Sequence, residues 1–179
     1  MRGPTSGKLA AAAIVAACAC LAIAPPLASA NSSGGAAPGP IETSRATLNP
    51  DGTATPPADA PAEVVAAINA ANEIEDLPYK YGGGHKEDFE DNGYDCSGSV
   101  SYALHAAGLL DSPLDSSSFM KWGDRGRGSW ITVYTNPGHA YAVIAGLRWD
   151  TSMTDGDGPG WSDEMRPAKG FKKRNWNGL

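Results

Sequence analysis

The chain has 179 residues, 41% of them hydrophobic and 19% charged, and a formal net charge of −6. Setting aside Arg2 and Lys8 near the start leaves 12 Lys plus Arg against 20 Asp plus Glu, a net of −8. Such acidity argues against nucleic acid as a partner, while the length is enough for one folded unit with an ordinary core.

Arg2 and Lys8 form a positive start, residues 9–24 an apolar run, and Ala28-Ser29-Ala30 a small-residue cleavage site. That is the pattern of a secretory signal peptide, so residues 1–30 are set apart from the fold. The apolar run is short and stops at Pro25-Pro26, which argues against a membrane span. Val15-Ala16-Ala17-Cys18 also has the form of a lipoprotein acylation site. Apolar residues continue past Cys18, however, and this favours release over lipid anchoring. Either route exports the protein.

The three cysteines are Cys18, Cys20 and Cys96, and the first two lie in the export signal. Cleavage after Ala30 leaves Cys96 alone and excludes an internal disulfide. A lone exported cysteine is a reactive thiol or an intermolecular partner.

Residues 31–60 are Ala, Gly, Pro, Ser, Thr and Asn with few bulky apolar side chains and no aromatic ring. Their burial cannot offset the entropy of ordering, so they are expected to form a disordered spacer with a reach of roughly 30 Å. The folded domain is expected over residues 61–179.

Pro61 and Glu63 suit a first helical turn, and Val64, Ile68 and Ala71 trace an apolar stripe that ends before Leu77-Pro78. Tyr79-Lys80-Tyr81 reads as a short extended piece, and Gly82-Gly83-Gly84-His85 as a turn open to close backbone approach. No Gly-Lys-Ser/Thr follows the glycines, so they are not a phosphate loop. A second helix is predicted to start at Cys96, with Val100, Leu104 and Ala107 on one face and Gly108 ending it. Residues 111–128 read as irregular apart from a short helix over Ser116–Trp122. Strands are predicted over Trp130–Thr135, His139–Ala145 and Leu147–Ser152, with a closing strand over Phe171–Asn175. Between the last two lies a Gly/Asp/Pro loop, Met153–Pro167, that contains Trp161. The basic run Lys169–Arg174 reads as a solvated strand edge. Helices first and strands later imply an α+β fold, N-terminal helices packed on a central antiparallel sheet.

A thiol at a helix N-terminus lies beside unpaired backbone N–H groups and the positive end of the helix dipole, and both favour the thiolate. Three histidines could serve it as base. His105 is nine residues along the same helix, about 13.5 Å of rise and half a turn away, and cannot reach. His85 sits in a glycine-rich loop and is poorly positioned. His139 opens a strand after the tight turn Asn136-Pro137-Gly138, and a rigid element suits a precisely placed base.

Tyr79-Lys80-Tyr81-Gly82-Gly83, then Tyr94-Asp95-Cys96-Ser97-Gly98, then Gly138-His139 before a strand, resemble the NlpC-type cysteine peptidases. These are papain-like hydrolases of bacterial cell-wall peptides. The resemblance spans roughly residues 63–179 and implies a papain-like α+β core. It implies Cys96 as nucleophile, His139 as base, and a third polar residue on the next strand that orients the imidazole. Tyr81, Asp95 and Ser97 are then the residues that hold the substrate, with Asp95 able to pair with a substrate amine.

The sequence departs from the family in two places. Gly128–Gly138 reads GSWITVYTNPG where a Pro-Gly-Asp segment is usual. The third position, commonly His, Asn or Gln, falls on Thr151, with Asp150 beside it. Adjacent strand residues point to opposite faces, so only one of the two can meet His139. Asp150 is the better acceptor, because a carboxylate stabilises an imidazolium.

No His-Glu-x-x-His or Cys-x-x-Cys pattern is present, so neither zinc nor any other cofactor is expected. The resemblance implies a monomer secreted to the cell wall that cuts peptidoglycan stem peptides between a D-glutamyl residue and a diamino acid. Two alternatives stand beside it: a Cys/His amidase that cuts the sugar–peptide bond, and a binding module on the same fold that has lost turnover.

Overall fold

The computed structural model describes residues 44–152 and 158–179. The export signal read over residues 1–30, and residues 31–43 of the expected spacer, lie outside the described residues. The remainder of that spacer is ordered. β1 (Thr47–Leu48) and β2 (Ala54–Thr55) pair antiparallel around a turn closed by a Gly52 N–H bond to the Asn49 carbonyl. Ala46 and Ala54 are buried, and Asn72 both accepts from the Ala54 N–H (2.9 Å) and donates to its carbonyl (2.8 Å). Composition averaged over thirty residues hides this, because a partner far along the chain satisfies the hairpin's backbone groups.

Helix α1 (Ala62–Glu73) follows Pro61, whose ring presets the backbone for entry, and buries Val64, Ala67, Ile68 and Ala71. Helix α2 (Cys96–Ala106) is capped by Asp95, which accepts the Gly98 N–H at 2.8 Å. Its buried Val100, Ala103 and Leu104 pack between α1 and the sheet, and Gly108 ends it at a positive φ of 69°. Helix α3 is a single turn, Ser116–Phe119, capped by Asp115. It is shorter than the Ser116–Trp122 span the sequence suggests.

Six antiparallel strands form one sheet in the order β3-β8-β4-β5-β6-β7. They are β3 (Asp124–Arg125), β4 (Ile131–Asn136), β5 (His139–Ile144), β6 (Leu147–Asp150), β7 (Gly160–Ser162) and β8 (Lys172–Asn175). The fold is α+β, helices against an antiparallel sheet, as the order of elements implies. Two strands lie where the sequence reads as irregular. β7 falls inside the expected loop because Trp161 is buried there, 4.9 Å from the Trp149 ring, with its Nε1–H donating to Asn72. β3 covers β8, so the basic run is not a bare edge but lies between β3 and β4.

Candidate active site

The loop before α2 is built by backbone packed on backbone. Tyr79 and Tyr94 form a parallel bridge, and the Asp95 N–H donates to the Gly83 carbonyl at 3.2 Å. A Cβ on Gly98 would lie 2.0 Å from the Gly83 oxygen, and one on Gly84 would lie 2.4 Å from the Tyr94 ring. Gly84 also needs a positive φ of 79°. The glycines therefore allow a loop to touch the first turn of α2; the close approach is to the chain itself.

Cys96 is the first residue of α2 and faces an open cleft of about 530 Å³. Tyr79, Tyr81, His85, Asp95, Ser97 and Ser116 are among its lining residues. His139 enters at the first position of β5, paired in register with Asn136 across the Pro137-Gly138 turn. Its Nε2 bonds Asp150 Oδ1 at 2.8 Å, which leaves Nδ1 for its hydrogen bond with Cys96. The Ser116 hydroxyl is 3.6 Å from the sulfur.

Burial pushes the Cys96 thiol up, but hydrogen bonds to His139, the Ala140 N–H and Ser116 outweigh it and hold the pKa below its ordinary value. Burial alone would lower the His139 pKa; the bonds to Asp150 and Cys96 instead raise it to about 9. The Asp150 carboxyl, opposed by burial, is held below the usual range by His139 and then Arg166. Together these favour thiolate beside imidazolium at neutral pH.

Asp150, not Thr151, is the third side chain that meets the imidazole. Thr151 is buried just past the end of β6. The Asp150 side chain is fully buried, and its second oxygen accepts from Arg166 Nη1 at 2.9 Å. That guanidinium also bonds Ser152 and lies over the Tyr141 and Phe171 rings, 5.3 and 5.4 Å from their centroids.

Asp95 and Ser97 lie on the opposite side of Cys96, already engaged. Asp95 accepts from the Gly98 N–H (2.8 Å), the Gly82 N–H (3.0 Å) and the Ser97 hydroxyl (3.1 Å), and meets His85 Nε2 at 3.0 Å. Three of these donors crowd Oδ1 and only the Gly82 N–H meets Oδ2, so the outer oxygen keeps an acceptor site. The Asp95 hydrogen bond, opposed by burial, raises the His85 pKa. Tyr81 stands at the cleft rim, 91% exposed, and Tyr79 lines the same wall. His105 is remote: it stacks on Phe89 at 3.9 Å and bonds the Leu110 carbonyl.

Sequence reasoning missed Arg166, Ser116 and the engagement of His85. Arg166 had no local signal, since its function comes from a partner sixteen residues away. His85 follows three glycines, a setting that by itself positions it poorly, yet the acidic N-cap ten residues on holds it. Among the described residues, no group of three or more His, Cys, Asp or Glu converges as a metal site.

No family model matches the sequence, and none of the curated proteins does. Among solved structures, the chain is similar to a hypothetical invasion protein of Mycobacterium tuberculosis (21% identity, TM-score 0.47, 63% of this chain and 61% of that one). It is similar also to the peptidoglycan hydrolase RipB of the same organism (22%, 0.48, 67% and 68%). A third is NlpC1 from Trichomonas vaginalis (15%, 0.47, 66% and 46%). The chain spans less than two thirds of the length of the first of these.

Proposed function

We propose that the chain is a secreted cysteine peptidase of the NlpC type that hydrolyses peptidoglycan stem peptides on the carbonyl side of the D-glutamyl residue. One observation carries this reading: Cys96, His139 and Asp150 form a hydrogen-bonded line at the N-terminus of α2, open to a cleft. The Asp-Cys-Ser-Gly motif at that helix start, with Tyr and Gly-Gly before it, supports the substrate class by resemblance.

Under this mechanism the Cys96 thiolate attacks the amide carbonyl, and the negative charge moves to the carbonyl oxygen. Backbone N–H groups at the start of α2 stabilise that oxyanion. The imidazolium of His139 gives its proton to the departing amine, leaving an acyl-enzyme. Neutral His139 then takes a proton from water, which attacks the thioester and releases the acid. Asp150 keeps its charge throughout and, held by Arg166, fixes the ring so that Nδ1 faces the sulfur. On the other wall, Asp95 keeps an acceptor site on Oδ2, and with Tyr81, His85 and Ser97 it offers polar groups to the substrate.

The test is digestion of purified peptidoglycan and of a defined stem tetrapeptide, with products weighed by mass spectrometry. Cleavage after D-glutamate by the parent, and none by Cys96→Ala, is expected. Release of whole stems from muramic acid would make the protein an amidase. An unreactive Cys96 in folded protein, with no cleavage of either substrate, would make it a binding module.

A further inference from the structure

A second, larger concavity lies away from Cys96. It has a volume of about 720 Å³ and is lined by Met120, Lys121, Arg125, Lys172, Lys173 and Arg174. Residues 120–127 and 168–176 together hold seven Lys or Arg against one acid, Asp124, in a chain that is acidic as a whole. The groove forms where β8, between β3 and β4, meets the segment just after α3. Arg174 is committed to that junction: it is buried and donates to the Trp122 and Gly123 carbonyls. Lys121, Arg125, Lys172 and Lys173 are different. None of these four is ion-paired with a carboxylate among the described residues. Like charges gathered without counter-charges repel, and an anion relieves that repulsion.

An aromatic pair adjoins the groove, since Trp122 directly follows Lys121 in the chain. Trp176 continues the alternation of Lys172 and Arg174, stacks on Trp122 at 5.7 Å and 28°, and is 36% exposed. Trp122 is in turn buried against Phe119, so the platform is rigid. A fixed indole face beside lysines suits a sugar ring that carries an acid group. A concave groove fits a chain better than a flat lipid surface. The net charge of −8 beyond residue 30 disfavours a polymer as densely charged as nucleic acid.

We propose that this groove binds a linear anionic glycan, with its acid groups on Lys121, Arg125 and Lys172, which share the α3 face of the sheet, and a sugar ring on Trp176. The site needs no activity at Cys96. It lies one helical turn from the cleft, because Ser116 and Ser117 line the cleft and Met120 and Lys121 line the groove.

The experiment is titration of the full chain with polygalacturonate at low salt, read by tryptophan fluorescence and calorimetry. Inorganic polyphosphate, neutral dextran and anionic phosphatidylglycerol vesicles are titrated in parallel. Polygalacturonate should bind, weaken with added salt, and outcompete dextran at least tenfold. The combined change of Lys121, Arg125 and Lys172 to Gln should raise its Kd about tenfold or more at unchanged melting temperature. If that variant fails to fold, single Lys→Gln variants carry the test, each expected to weaken binding about two- to fivefold. Trp176→Ala should weaken polygalacturonate severalfold and leave polyphosphate unchanged. Parent-like binding by all the charge variants overturns the proposal. So do vesicles or polyphosphate binding more tightly than polygalacturonate, or indifference of polygalacturonate to Trp176→Ala.

Discussion

Two histidine–carboxylate pairs lie close to Cys96, and they differ in what each imidazole meets beyond its carboxylate. Asp150 is fully buried, clamped from behind by Arg166, and turns one oxygen to His139, whose ring also bonds the thiol. Asp95 is the N-cap of α2, its Oδ1 meeting the Gly98 N–H, Ser97 and His85 and its Oδ2 the Gly82 N–H. The first pair has an imidazole edge free to exchange a proton with sulfur. In the second pair the imidazole braces a loop against a helix start. The same two residue types thus serve different contacts, and what separates them is what each imidazole meets beyond its carboxylate: the Cys96 thiol for His139, the Ser97 hydroxyl for His85.

Replacing each histidine tests this contrast most severely. His139→Ala should lower kcat/KM for stem-peptide cleavage by about 10⁴-fold, as for loss of a triad member, whereas His85→Ala should cost tenfold or less. Comparable losses would erase the distinction. Next comes the orienting pair. Asp150→Asn should reduce kcat by roughly 10²- to 10⁴-fold with KM little changed, while Thr151→Val should leave kcat within about twofold.

Removing the clamp should act less strongly and through pH. The reaction needs thiolate and imidazolium together, so activity should rise with pH as Cys96 ionises and fall as His139 loses its proton near about 9. Arg166→Gln removes a cation that holds Asp150 ionised, so Asp150 should retain less charge at low pH and orient the ring less well. A fall in kcat of about tenfold at neutral pH, deepening toward acid, is the expected result. An unchanged pH–rate profile would show that Asp150 needs no clamp.

Two smaller effects belong to the wall. Gly98→Ala forces a Cβ against the Gly83 carbonyl, with a stability cost of about 1–3 kcal/mol in thermal or denaturant unfolding. Asp95→Ala removes an N-cap worth about 0.5–2 kcal/mol and frees His85. Because Asp95 raises the His85 pKa, that pair's contribution is fully present below the unfolded value of 6.5 and is lost as pH rises through the folded value. The stability difference between parent and Asp95→Ala should therefore shrink from pH 6 toward pH 9.

The parts of the site that were legible in the sequence are those written into a few consecutive residues. Asp95-Cys96-Ser97-Gly98 spells a capped helix start, and Asn136-Pro137-Gly138-His139 spells a turn into a strand. The third position stayed open between Asp150 and Thr151 because strand alternation says that one faces inward but not which. Arg166 and Ser116 could not be read at all: each meets the site only through tertiary packing, from a coil and from a one-turn helix. Hairpin 47–55 was lost in the composition of its surroundings, since its order depends on Asn72. The asymmetry is physical. Caps and turns are decided by near neighbours along the chain, while clamps and dockings are decided by what folding brings alongside.

Beyond its own helix, the groups that hold the Cys96 pKa down are His139, the Ala140 N–H and Ser116, all later in the chain. A nascent chain ending before β5 lacks His139 and the Ala140 N–H, and with them the largest of these contributions. The thiol therefore reaches its full acidity only when β5 has closed on α2. An unfolded or half-folded molecule would be poorly reactive toward electrophiles at neutral pH, so the rate at which Cys96 takes up an alkylating label reports, molecule by molecule, how much of the population has finished folding.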